Sequence, residues 1–156
     1  MDIFSIDPGT EKSAYVHFSI VEGRITALNA GFRENDNLYC DVRHLPMSVN
    51  IFAIEKVVSF GRAVGKEVMD TAMIAGVLGG CYNSWPVYMI PRSKIRFHLG
   101  KSKRAGDKEV RAAILERWPG LQGRLVRDMW SAFAVGITAY DLSFNGGLAK
   151  YACKFR

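Results

Sequence analysis

The spacing of apolar and polar residues changes period several times along the chain, and those changes mark its elements. Asp2 to Ile6 is a short apolar run that stops at Asp7-Pro8-Gly9-Thr10, where Pro-Gly is a strong turn signal. Ser13 to Val21 (SAYVHFSIV) is rich in β-branched and aromatic residues, Glu22-Gly23 is a turn dipeptide, and Arg24 to Arg33 opens with Ile25 and Ala27 alternating against polar neighbours. The pattern predicts an antiparallel meander of three strands. Asn35 to Asn37 is turn-like, and Leu38 to Leu45 suits one or two helical turns closed by Pro46. Val49 to Val58 (VNIFAIEKVV) is almost continuously apolar, as a strand covered on both faces reads, with Glu55 inside it.

From Gly61 to Gly80 the period becomes helical: Val64, Val68, Thr71/Ala72, Ala75 and Leu78 recur at three- and four-residue steps, and Gly79-Gly80 supplies a stop. Trp85 to Ile90 predicts a fifth strand, Pro91 to His98 a short helix, and Gly100 to Gly106 a basic loop. Asp107 is placed to cap a helix carrying Val110, Ala113, Ile114 and Trp118. A last long helix starts near Arg127 and carries Trp130, Phe133, Ala134, Ile137 and Tyr140/Asp141 as far as Asn145-Gly146-Gly147, leaving KYACKFR as a surface appendage. The order β-β-β-α-β-α-β-α-α specifies an α/β protein with a mixed five-stranded sheet and helices on both faces.

Composition adds scale. With 156 residues, 49% hydrophobic and 23% charged, residues 1–156 are expected to form one domain with a real core. The longest apolar stretch, Ala72 to Tyr82, is broken by glycines and falls short of the ~20 residues of a bilayer helix, and no basic n-region opens the chain. Cys40, Cys81 and Cys153 are an odd set without a C-x-x-C pair. Reduced thiols in the cytoplasm, no disulfide framework, no zinc thiolate site and no membrane span are the expectations. Charge is less even: of the net +6, Arg92 to Arg127 carries eleven Lys/Arg against three acids, or +8, and the rest of the chain −2. A solvated basic face is one reading of that segment, and a surface for a phosphate backbone is the favoured one.

Three carboxylates stand where a core should have none: Asp7 at the end of the first strand, Glu55 inside the most apolar one, and Asp128 at the start of an apolar helix. Each has a local explanation, since Asp suits a turn or an N-cap and Glu55 could reach the wet end of its strand. Together they point to a cation, because clustered acids repel one another unless one neutralises them. Hard oxygen ligands suit Mg²⁺ or Mn²⁺, and two such ions about 4 Å apart can activate water and stabilise the leaving oxygen of a phosphodiester.

SIDPGTEKSAYV resembles the first motif of the RuvC-type Holliday-junction resolvases of the RNase H-like superfamily, FAIEKV their second, and DMWSAFAVGITAYD their C-terminal acidic helix. RFHLGKSKRAGDKEVRAAILERW resembles the basic loop-helix of the family's phage and prophage branch. The resemblance implies an RNase H-like fold and a divalent-metal endonuclease, holding two ions, that acts as a homodimer on four-way DNA junctions and leaves 5′-phosphate and 3′-hydroxyl ends. Its location would be cytoplasmic, in the bacterial host if the protein is phage-encoded. Asp7, Glu55 and Asp128 match the catalytic carboxylates, and Arg96 and Lys108 match basic residues near the scissile phosphate. Lys101, Lys103 and Arg104 fit DNA on charge.

The chain departs from the family pattern in two places. One helical turn after Asp128, where the family usually carries a fourth ligand, stands Ser131, with only a hydroxyl to offer a metal. Three residues after Glu55, where the family has an aromatic that stacks on junction bases, stands Val58, and the nearest aromatic is Phe60. A monomeric RNase H-like nuclease on another branched or RNA-containing substrate therefore stays open, as does a DNA-binding module with a decayed metal site.

Other signals carry less. Gly100-Lys101-Ser102 lacks the upstream glycine of a phosphate loop, since Ile95 stands there. His17, His44 and His98 have no ligand spacing; His17 reads as strand packing, and His98 lies near the basic loop. The Trp130/Phe133/Ile137 stripe reads as core and the Gly61 to Leu78 helix as sheet packing, while the family resemblance implies that part of that helix faces a partner subunit.

Overall fold

The computed structural model of the chain describes residues 1–58, 64–82 and 86–153. The expected meander is present as β1 (Asp2–Asp7), β2 (Lys12–Val21) and β3 (Arg24–Glu34), antiparallel in sequence, with a register shift between Ser19 and Ile20. Helix α1 (Asn35–Arg43) starts three residues earlier than the pattern suggested and returns the chain to β4 (Ile51–Lys56), which lies parallel to β1. Helix α2 (Lys66–Cys81) leads to β5 (Val87–Pro91), parallel to β4; the predicted starts of these two elements, Gly61 and Trp85, lie outside the described residues. Helices α3 (Arg92–Gly100), α4 (Asp107–Arg117) and α5 (Met129–Phe144) complete the α/β order.

The sheet has six strands rather than five, in the order β3-β2-β1-β4-β5-β6. The sixth, β6 (Ala152–Cys153), pairs antiparallel with β5 through Val87–Cys153 and Tyr88–Ala152. This corrects the reading of KYACKFR as a loose appendage: a 3₁₀ turn over Leu148–Tyr151, anchored by buried Leu148, delivers the segment to the sheet edge. Two residues are too few to show a period, so such a strand has no signature in sequence. Asp107 does not cap α4 but is its first residue, behind Gly106.

Alternation along the strands divides the core in two, because successive side chains point to opposite faces. Phe4, Ile6, Phe52 and Ile54 pack with Leu38 of α1 and with Ala75 and Leu78 of α2. Ile3, Val16, Phe18, Ile51 and Ala53 pack with α3, α4 and α5, where Trp130, Phe133 and Ile137 are core as expected. Every residue of α5 from Ala132 to Ala139 is buried, the mark of a helix enclosed on all sides. Gly136 lets α5 settle onto the sheet, since a Cβ there would stand 2.6 Å from the Ser5 hydroxyl and 2.7 Å from the Phe18 ring. Among the described residues no helix is long and apolar enough to cross a membrane.

Candidate active site

The three central strands β1, β4 and β5 run parallel, so their C-terminal ends lie side by side. Asp7 ends β1, Glu55 stands one residue beyond the last β1–β4 pair (Ile6–Ile54), and Arg92 follows the last β4–β5 pair (Lys56–Pro91). Asp7 shares the face of Ile3 and Ser5, and Glu55 that of Ile51 and Ala53; both therefore face α5. There Ser131 turns its hydroxyl to Asp7 as a hydrogen-bond donor.

The turn after Asp7 is held by a residue the sequence pattern gave only a turn role. Buried Asn35 donates from Nδ2 to the carbonyls of Gly9 and Thr10, at 3.0 and 3.1 Å, and accepts at Oδ1 from the Ser13 hydroxyl at 2.7 Å. Ser13 in turn accepts from the Gly9 N–H at 3.2 Å. A side chain at position 9 would meet the Lys12 carbonyl, which explains the glycine. The network fixes the backbone from which the Asp7 carboxylate projects.

Burial raises Asp7 to about 8 from its ordinary 3.8, and repulsion from Glu55 and, less, Asp128 adds to it; Arg92 and the Ser131 hydroxyl oppose the rise. Glu55, only 7% exposed, is also raised, first by burial and then by Asp107 and Asp128, against the pull of Arg92 and Arg96. Two inward-facing carboxyls whose ionised forms are disfavoured by burial are suited to a hard cation. Asp128 occupies the N-cap position of α5, yet its side chain makes no capping bond, so the local explanation for an Asp here is not realised. It is exposed at the lip of the site and couples electrostatically to both inner acids.

Among the described residues no three His, Cys, Asp or Glu side chains stand close enough to form a metal centre. By their chemistry the donors turned toward one another, the carboxyls of Asp7 and Glu55 and the Ser131 hydroxyl, would suit one divalent ion with water on its other positions, which is how Mg²⁺ is commonly bound. A groove of about 350 Å³ opens over this pair, lined by Asp7, Glu55, Lys56, Val58, Thr71 and Arg92 among others.

Arg92 and Asp107 were absent from the sequence-derived site. Arg92 places Nη1 3.5 Å from Glu55 Oε1 and Nη2 3.4 Å from Asp107 Oδ1, and Arg96 places Nη2 3.3 Å from the same Asp107 oxygen. Burial alone would raise Asp107, but Arg92 and Arg96 outweigh it and hold the carboxyl below its ordinary value. The available signal was an arginine directly after a parallel strand, at the same sheet end as Asp7 and Glu55; it becomes meaningful only once strand order is known. Lys101, Lys103 and Arg104 are exposed in the loop between α3 and α4, and Lys108 is exposed in the first turn of α4; none of the four lines the groove over Asp7 and Glu55. Phe60 lies outside the described residues. His98 is engaged by Asp141 at 2.9 Å.

No protein-family model and no curated protein sequence matches the chain. Solved structures do. The chain is similar to Thermus thermophilus RuvC in complex with Holliday junction substrate, with a TM-score of 0.75 at 15% identity, over 98% of this chain and 99% of that one. It is also similar to a second Thermus thermophilus RuvC structure, with a TM-score of 0.71 at 15% identity, over 97% and 98%. The TM-scores and the near-complete coverage of both chains show that the chain has the RuvC-type, RNase H-like fold.

Proposed function

We propose that this protein is a divalent-metal-dependent endonuclease that hydrolyses phosphodiesters of branched DNA, four-way junctions first among them. The observation that carries the reading is the placement of Asp7 and Glu55 at adjacent parallel strand ends, both facing α5, where their mutual repulsion calls for a cation. Mg²⁺ or Mn²⁺ bound there would lower the pKa of a water and polarise the phosphate. The chain's own contribution is to hold the site: Asp7 and Glu55 as ligands, Asp128 and the Ser131 hydroxyl on the opposite wall, and Arg96, Lys101, Lys103, Arg104 and Lys108 as phosphate contacts leading the strand in. The likeness to a resolvase solved with its junction supports the substrate class.

The active species in this proposal is a homodimer. A four-way junction presents two scissile phosphates related by a two-fold axis, and one chain carries a single Asp7/Glu55 pair. Helix α2 supplies an apolar surface for the contact: Val68, Met69, Met73 and Val77 are 40%, 63%, 63% and 43% exposed. The proposal places the protein in the cytoplasm, in a phage or prophage setting by the likeness of its basic loop-helix.

Cleavage of synthetic four-way junction, fork, duplex and RNA–DNA hybrid with Mg²⁺, Mn²⁺ or chelator tests the reading. Metal-dependent paired nicks in the junction are expected, made by two chains per junction in sedimentation. Cleavage by one chain, or of hybrid in preference to junction, would favour a monomeric RNase H-like nuclease instead. Binding without cleavage under either metal would leave a DNA-binding module.

A further inference from the structure

The carboxylates of this site suit one cation, whereas in-line displacement at a phosphate profits from positive charge on both the attacking and the leaving side. The second positive charge is already built into the fold. Arg92 stands at the third of three adjacent parallel strand ends, beside Glu55, and also acts electrostatically on Asp7. It lines both the groove over Asp7 and Glu55 and the smaller cavity behind Glu55 that Ser131 closes.

The contacts of Arg92 are loose. Those to described residues lie at 3.4 to 3.5 Å, against 2.7 and 2.9 Å for Arg117 on Asp141 and 2.8 Å for Arg33 on Asp41. Charge-assisted bonds normally close to about 2.7–2.9 Å. A guanidinium carries five N–H donors in a fork matched to phosphate, and its side chain here is 41% exposed toward the groove. Arg92 is thus held between two carboxylates without being committed to either.

We propose that Arg92 is a catalytic residue, whose guanidinium binds the scissile phosphate in the role a second metal ion would otherwise fill. The inference rests on the nuclease reading above. In the step, the water oxygen forms a bond to phosphorus and the P–O3′ bond breaks. Water gives up a proton to solvent and the 3′ oxygen takes one, while Arg92 stays protonated and donates hydrogen bonds to the phosphoryl oxygens as their charge grows.

The test uses the full-length protein, its Arg92→Ala and Arg92→Lys variants, and three readouts: Mn²⁺ titration calorimetry, four-way junction affinity in EDTA, and single-turnover cleavage. Circular dichroism of each variant checks folding, and Arg92→Lys keeps the charge if Arg92→Ala does not fold. Wild type is expected to bind one Mn²⁺ per chain. Arg92→Ala should bind it about tenfold or more tightly, because a neighbouring cation that opposes the metal has gone, while cleavage falls about 10²–10³-fold and junction affinity in EDTA drops. Arg92→Lys should retain junction affinity but lose most of the rate, lacking the fork.

Two Mn²⁺ per wild-type chain would overturn the proposal, and so would Arg92→Ala with unchanged cleavage and unchanged junction affinity. Weaker Mn²⁺ binding in Arg92→Ala would reduce Arg92 to a residue that positions Glu55, and overturn it as well. In all three of these outcomes wild type still cleaves and the nuclease reading stands. A wild-type protein that cuts no branched substrate with either ion ends both.

Discussion

Replacing Asp7 with Asn removes a group that the native state holds at a cost. With its carboxyl raised to about 8 from 3.8, folded Asp7 keeps its proton between those values while the unfolded chain has released it. The folded state then binds more protons than the unfolded one, so the Asp7 contribution to stability falls as pH rises from about 4 to about 8 and levels off above. Each pH unit inside the window is worth about 1.4 kcal/mol at most, so the cost grows by up to about 3 kcal/mol between pH 5 and pH 7. Glu55 shares the strain, and part of it remains in the variant. Asp7→Asn, similar in shape and without the ionisation, is expected to be more stable than wild type at pH 7 in EDTA. The growth between pH 5 and pH 7 alone corresponds to up to about 6–12 °C in melting temperature, at about 2–4 °C per kcal/mol for a chain of this size. Urea unfolding of both proteins at pH 5, 6, 7 and 8 gives the measurement. The gap must widen with pH; parallel pH profiles, or a less stable variant at pH 7, would refute the reasoning that burial and like charge strain this carboxylate.

Other perturbations reach other parts of the account. Replacing both Lys101 and Lys103 with Ala should flatten the slope of log K against log salt for junction binding by somewhat under two, since each phosphate contact contributes about 0.9; an intact slope would place the DNA elsewhere. Gly136→Ala drives a methyl into Ser5 and Phe18 and should destabilise by about 1–3 kcal/mol, read as a lower urea midpoint. For Asp141, burial would raise the carboxyl, but the bonds from His98 and Arg117 prevail and lower it. Its stabilisation is present above the unfolded value and lost as pH falls through the folded one, so the stability gap between wild type and Asp141→Asn should close in acid.

Glu55 was legible in the sequence because a carboxylate inside VNIFAIEKVV is a local anomaly, and anomalies against a clear period survive without knowledge of the fold. Strand pairing order carried Arg92 instead. An arginine opening a helix after Pro91 is unexceptional by itself, and it joins Asp7 and Glu55 only because β1, β4 and β5 are neighbours. Asn35 reads as a turn former, and its role in fixing the Asp7 turn depends on Gly9, Thr10 and Ser13 meeting it across 22 to 26 residues. Asp107 suited an N-cap by propensity, but Gly106 took that place and two arginines took the carboxylate. Periodicity thus gave the layers and the burial of α5, while charge pairing between elements, which has no period, waited for the structure.

The most direct test of the central claim is single-turnover cleavage of a four-way junction in Mg²⁺ by wild type and by Glu55→Gln, with junction binding measured alongside. The account predicts metal-dependent cleavage by wild type and a loss of orders of magnitude in the variant, whose junction affinity holds or tightens as negative charge leaves the site. Cleavage by Glu55→Gln at the wild-type rate would contradict it.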